Sequence, residues 1–347
     1  MTSPNDDETP RSFEELIRRL PKVELHLHLE GTLEPEMAFA LAERNGVRLR
    51  FPTVETLRSA YAFRDLQSFL DLYYESIAVL RTERDFYQLT RAYLERAAGE
   101  HIRHAELFFD PQSHTRRGVP FGTVIEGIHQ ALVEGESDLG ITTRLIMCFL
   151  RDLSYKEAAA ALREALPYRE WLIGVGLDSA ELGHPPSAFT AVFAAARAQG
   201  LRVVAHAGEE GPPEYIWEAL DLLGAERIDH GVRCLEDPAL VSRLAAEHVP
   251  LTVCPLSNLH LRVVASLEDH PLRSLLEAGL CATINSDDPA YFGGYLTDNF
   301  LAIARALRLT RAEVVTLVRN SYQAAFIDEP RRRQLEDELI TALRSMP

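Results

Sequence analysis

The sequence predicts an α/β chain folded as a (β/α)8 barrel, on three observations. Eight strand-like runs alternate with helical stretches along the 347 residues. Most of those runs, such as Leu145-Ile-Met-Cys-Phe-Leu150 and Pro250-Leu-Thr-Val-Cys254, are continuously apolar, which marks strands buried on both faces. The histidines and carboxylates whose spacing suggests chemistry fall at the C-terminal ends of the runs, where a barrel gathers its active-site loops. The competing architecture is a doubly wound open sheet, but no Gly-x-Gly-x-x-Gly follows the first strand.

In chain order, residues 1–11 are polar and acidic and read as a disordered tail, with 12–347 forming a single barrel domain. Ser12-Phe-Glu-Glu15 has capping-box spacing and opens a short helix that Pro21 closes. Strands are expected at 23–28, 104–109, 142–149, 172–178, 201–206, 227–230, 250–254 and 280–286. Stretches rich in Ala, Leu, Arg and Glu at 187–199, 214–223, 238–247 and 271–278 supply helices between the later strands. Nearly eighty residues separate the first strand from the second, and 52–98 reads as several helices. An insertion there lies over the barrel mouth as a helical lid, with Phe63, Leu66, Phe69 and Leu70 as its apolar residues. Thr310-Arg-Ala-Glu313 repeats the capping-box spacing ahead of helices that close the structure.

Composition narrows the partners. A net charge of −16 argues against nucleic acid, whose phosphates need clustered Lys and Arg, but leaves room for a small neutral heterocycle. Cys148, Cys234, Cys254 and Cys281 are far apart and form no C-x-x-C, so a disulfide framework is not expected and a reducing compartment fits. The first residues carry no apolar signal core, and no apolar stretch is long enough to span a bilayer. The expectation is a cytoplasmic protein without membrane partners; oligomeric state is left open, a homo-oligomer included.

The chemistry starts at Val23-Glu-Leu-His-Leu-His28. Side chains in a strand alternate faces, so His26 and His28 project together past its end and make half of a metal site. His206 ends strand five in Val203-Val-Ala-His-Ala-Gly-Glu209, His230 ends strand six in Asp-His-Gly231, and Asp287 and Asp288 follow strand eight. Three histidines and a carboxylate suit a catalytic zinc with one position open, giving His26, His28, His206 and Asp287 as ligands. Neither lysine of the chain, Lys22 or Lys156, is placed to bridge a second metal, so one zinc ion per chain is expected. Glu209, three residues past His206, suits acid–base work; His230 suits removal of a proton from water; Asp288, which cannot easily share the metal with its neighbour, suits a hydrogen bond to substrate. His184 is on the right face to line the pocket without being a ligand.

These segments resemble the adenosine/adenine deaminase family of the amidohydrolase superfamily over about residues 20–327. The resemblance rests on Pro-Lys-Val-Glu-Leu-His-Leu-His-Leu-Glu-Gly31, His-Ala-Gly-Glu209, Asp-His-Gly231 and Ser-Asp-Asp-Pro289, in that order. Within the family the chain is most similar to the branch acting on free adenine, through Phe108-Phe-Asp-Pro-Gln-Ser-His-Thr115 and Ser286-Asp-Asp-Pro-Ala-Tyr-Phe-Gly-Gly-Tyr295 among others. Nucleoside deaminases typically have Asp where this chain has Glu30, and Gly-Asp-Glu where it has Ser179-Ala-Glu181. The resemblance implies zinc-dependent conversion of adenine to hypoxanthine and ammonia in purine salvage; adenosine and N6-substituted adenines are the alternative substrates. It implies zinc on His26, His28, His206 and Asp287, water activated with help from Asp287 and His230 to attack C6, Glu209 protonating N1, and Asp288 holding N7.

Overall fold

The structure is a computed structural model, which describes residues 10–345. Eight strands form one parallel sheet in sequence order: β1 Lys22–His28, β2 Ile102–Phe109, β3 Thr142–Leu150, β4 Gly174–Asp178, β5 Arg202–Ala207, β6 Arg227–His230, β7 Pro250–Val253 and β8 Cys281–Ile284. Every residue of β1, β4 and β6 is buried between barrel interior and helices, although β1 carries Lys22, Glu24, His26 and His28 and β6 carries Arg227, Asp229 and His230, so the buried polar groups of these strands must find partners inside. Helices run antiparallel outside, among them Phe121–Leu139, Tyr155–Ala165, Thr190–Ala198, Pro238–Glu247 and Arg311–Ala324. The expected (β/α)8 barrel is therefore the observed fold.

Closure between β8 and β1 is short and falls on residues with chemistry. Past Ile284 the chain leaves the ladder with β7, and Asp287 N–H donates to His26 O at 3.0 Å while His28 N–H donates to Asp287 O at 3.0 Å. Asn285 Oδ1 accepts from Leu25 N–H, and Glu24 accepts from both the backbone and hydroxyl of Ser286. Asp287 is thus fixed against the two histidines by the bonds that close the barrel.

Three expectations need adjustment. The first helix spans Pro10–Arg19, so Pro10 and Arg11 are helical rather than tail, and Ser12 lies inside its first turn instead of capping it; residues 1–9 of the expected tail lie outside the described residues. Pro at the first helical position explains the earlier start, since its missing N–H costs nothing there. Within 52–98, Val54–Ser59 packs on the helix Pro35–Asn45 and Leu66–Ser76 lies over the mouth, whereas Glu83–Gly99 packs along Phe121–Leu139 and against β2 as a helix of the outer ring. The segment over the mouth therefore ends before Glu83. The capping box at Thr310 forms as expected: Glu313 N–H donates to its hydroxyl, and Glu313 accepts from Thr310 N–H.

Candidate metal centre

Four side chains converge at the mouth. His28 Nε2 is 3.1 Å from His206 Nε2, and Asp287 Oδ1 is 3.3 Å from His26 Nε2 and 3.5 Å from His28 Nε2. Four donors about 2.1 Å from a tetrahedral zinc lie roughly 3.4 Å from one another, so the spacing fits such an ion. His26 Nε2 is buried with no hydrogen-bond partner, the mark of a lone pair awaiting a ligand. Its tautomer follows from its other nitrogen. Thr252 donates its hydroxyl proton to Asp229 Oδ1 at 2.8 Å, so Thr252 Oγ1 accepts from His26 Nδ1–H at 3.0 Å. Nε2 is then unprotonated, as metal binding requires.

Each histidine of the set has a carboxylate behind it. Asp229 lies 3.8 Å from His26 Nδ1 and 3.5 Å from His206 Nδ1, and Asp178 lies 3.6 Å from His28 Nδ1. Asp229 is fully buried, but the imidazoles of His206 and His26 and the guanidinium of Arg227 keep it ionised far below the usual carboxylate range. Burial drives His28 down to about 3, keeping it a neutral donor. Burial works against protonation of His206 too, but the Asp229 carboxylate outweighs it and raises that group. Asp229, Asp178 and Thr252 were not singled out from sequence. Asp229 was visible only as the neighbour of His230, and nothing local tells that it reaches two histidines from other strands.

The remaining expected residues border one pocket, lined by His28, His206, Glu209, His230, Asp287 and Asp288 below and by Leu66, Phe69, Leu70, Tyr73 and Tyr74 above. Phe63, the fourth lid candidate, stands behind that wall and packs edge-on against Phe69 and Phe292. His230 Nε2 is 3.5 Å from Glu209 Oε2 and 3.8 Å from Asp287 Oδ2. Burial, reinforced by the negative charge of Asp287, pushes Glu209 well above the usual carboxylate range, and does the same to Asp288. One oxygen of each, Glu209 Oε1 and Asp288 Oδ1, has no partner. Burial holds His230 neutral. Asp288 lies over Gly31, where any Cβ would collide with its carboxylate, so the small residue after Glu30 makes room for it.

The turn carrying Glu209 is tied rather than flexible. Glu181 accepts four consecutive backbone N–H groups, from Gly208 at 2.6 Å, Glu209 at 3.1 Å, Glu210 at 2.8 Å and Gly211 at 2.7 Å. Arg151 adds a bond from Nη1 to the carbonyl of His206 at 2.6 Å. Glu30 is also occupied: its Oε1 meets His114 Nε2 at 2.7 Å and Asp110 N–H at 3.1 Å, outside the cavity wall. Ser179 does line the cavity, 2.9 Å from the Tyr74 hydroxyl. His184 does not: its Nδ1 bonds Ala180 O, and its carbonyl accepts from Arg151. Among the described residues two further groupings, His230–Cys254–Asp287 and His28–Asp110–Asp178, are close enough to share an ion, and each borrows a residue from the first set.

The adenosine deaminase family model matches residues 21–342. An adenine deaminase of Streptomyces coelicolor is 62% identical over 310 residues, covering 89% of this chain and 91% of its own, and one of Rhodospirillum rubrum is 59% identical over 323 residues, covering 93% and 97%. The crystal structure of adenine deaminase from Arthrobacter aurescens superposes with a TM-score of 0.92 at 54% identity, covering 94% of this chain and 99% of that one. A Burkholderia ambifaria amidohydrolase solved with bound Zn superposes at 0.88 with 27% identity, covering 99% and 97%.

Proposed function

Since the chain belongs to the adenosine deaminase family, we propose that it hydrolyses adenine to hypoxanthine and ammonia with one zinc ion, as a step of purine salvage. The observation that carries this reading is the pair of unpartnered carboxyl oxygens, on Glu209 and Asp288, beside the four-residue metal set at one pocket. A 6-aminopurine offers two ring nitrogens on either side of the carbon to be attacked, and the two carboxyls stand on opposite sides of the metal set, after β5 and β8.

His26, His28, His206 and Asp287 would hold the zinc, which supplies Lewis acidity that makes water nucleophilic at neutral pH. The chain's own groups do the rest. Neutral Glu209 donates its proton to N1, which breaks the ring's aromaticity and opens C6 to water. Asp288, kept protonated by burial, donates to N7 and fixes the ring plane. His230 takes a proton from the attacking water and hands it to the departing amino group, which leaves as ammonia. The second water proton, released as the C6 carbonyl forms, returns to Glu209 across the 3.5 Å that separates it from His230. The lid side chains exclude bulk water, so these charges act in a low-dielectric space.

The free base is favoured over the nucleoside by the names of the close relatives and by the position of Glu30, which is held at Oε1 by His114 and the Asp110 backbone and does not line the cavity. The test is an ultraviolet assay of the zinc-loaded protein on adenine and adenosine in parallel, with Glu209→Gln as control. Adenine turnover with little on adenosine, and its loss in a variant that still binds zinc, is the expected result. Preference for adenosine, or an active Glu209→Gln, would overturn the substrate or the proton-donor assignment respectively.

A further inference from the structure

We propose that Asp110 reads the N9–H edge of the bound purine and so sets the preference for free base over nucleoside. This rests on the reading of the site given above. Around a purine the perimeter runs from C6 through N1, C2, N3, C4, N9, C8 and N7 back to C5. Around the barrel, the strands from Glu209 to Asp288 by the long way run β5, β4, β3, β2, β1, β8. With N1 toward Glu209 and N7 toward Asp288, N3 faces the end of β4 and N9 the end of β2. The residues lining the cavity there are Asp178 and Ser179 after β4 and Asp110 after β2.

Asp110 faces the cavity beside Asp178, and nothing in its own helix holds its side chain. It is at the position before the short helix Pro111–Thr115, where an aspartate ordinarily caps, yet its side chain makes no capping bond. Its backbone N–H is pinned by Glu30 Oε1, itself held by His114, so the side chain turns into the cavity. It is 3% exposed, and Oδ1 has no hydrogen-bond partner. Burial and the neighbouring Asp178 hold the Asp110 carboxyl well above its ordinary range, and the buried carbonyl oxygen of a protonated carboxyl with nothing to accept is costly unless a ligand supplies a donor. The N9–H of a free base is such a donor, and N3 beside it accepts from the Ser179 hydroxyl, whose oxygen takes the Tyr74 proton at 2.9 Å. A ribose on N9 replaces the proton with carbon and leaves Asp110 unpaired. Sites built to bond a substrate N–H reject the analogue lacking it far more strongly than they reject a change of size.

The test is a cycle between the Asp110 carboxyl group and the N9 proton, measured as kcat/KM of the zinc-loaded protein on adenine and on 9-methyladenine. Unaltered enzyme should prefer adenine by at least about 100-fold. Asp110→Ala should lose about 100-fold on adenine while 9-methyladenine holds or improves, so the preference collapses. Equal losses on both substrates, or adenine turnover within threefold of the unaltered enzyme, would overturn the assignment. A measurement on the unaltered protein guards against a variant that folds badly: hypoxanthine should inhibit at least about tenfold more tightly than 9-methylhypoxanthine, and equal inhibition also overturns it. Unaltered enzyme silent on adenine would sink the deaminase reading and this assignment with it. Active enzyme with an indifferent Asp110→Ala sinks this assignment alone.

Discussion

Ser179, His230 and Asp287 lie at the mouth with φ of 74°, 64° and 62°, the left-handed region that non-glycine residues avoid. Each costs on the order of 1–3 kcal/mol and persists because its surroundings over-determine it. Asp287 is locked by its two backbone bonds to β1, and Ser179 by Tyr74. The gain is direction: a strand that would carry its next side chain outward instead turns it toward the cavity. Beside them, Glu209 is kept neutral by burial and by the negative charges of Asp287, Glu181 and Glu210. A general acid must hold its proton, so activity should fall on the alkaline side as Glu209 ionises. Removing a negative neighbour makes ionisation easier and lowers that limb. Glu210→Gln should therefore move the alkaline limb of the kcat–pH profile to lower pH by roughly half a unit, and an unmoved limb would mean another group titrates there.

At the scale of elements, the Leu66–Ser76 helix is the piece that roofs the cavity. Asp65 caps it in a box with Ser68, and its inner face carries Leu66, Phe69, Leu70 and Tyr73. Three loops hold it down: Glu210 accepts from Leu66 N–H at 3.4 Å, Ser179 meets Tyr74, and Phe69 packs on Phe292 with ring centroids 4.8 Å apart. Phe63 buttresses Phe69 from behind without reaching the cavity. Phe63→Ala should cost about 3 kcal/mol in denaturant unfolding and raise amide exchange across Leu66–Ser76 more than across the barrel strands. Uniform exchange would show that the helix does not depend on this buttress.

At the scale of the whole molecule, the barrel is held near its floor by buried charge and near its mouth by Asp287. Arg227 of β6 donates from Nη1 to Glu106 of β2 at 2.7 Å and from Nη2 to the Leu25 carbonyl of β1 at 3.1 Å, spanning the interior. Both side chains are fully buried, and Arg227 keeps Glu106 ionised against the cost of burial. Breaking one partner strands the other. Arg227→Met should destabilise the fold by about 3–5 kcal/mol in urea, and adding Glu106→Leu should recover much of that loss. A double variant no better than the single one would show that the bonds to Leu25 and the neighbouring carbonyls matter more than the pair.

The sequence by itself determined the barrel, the order of its strands and the residues that meet at its mouth. Continuous apolar runs of strand length suit doubly buried strands, and His-x-His at a strand end places two imidazoles on one face. His26, His28, His206 and Asp287 do converge, with Glu209, His230 and Asp288 around one cavity beside them. The sequence also held the capping signal at Thr310, where a local bond decides the outcome. It did not reveal where the lid ends, because Glu83–Gly99 is amphipathic whether it covers a mouth or packs on Phe121–Leu139. Nor did it reveal that Asp229 would orient two histidines, that Glu181 would tie down the Glu209 turn, or that Glu30 would be spent on His114 while Asp110 faced the cavity. Those facts belong to tertiary structure alone. Periodicity tells which face a side chain leaves from, but a carboxylate's partner lies on another strand, and only closure of the barrel sets the distance between them.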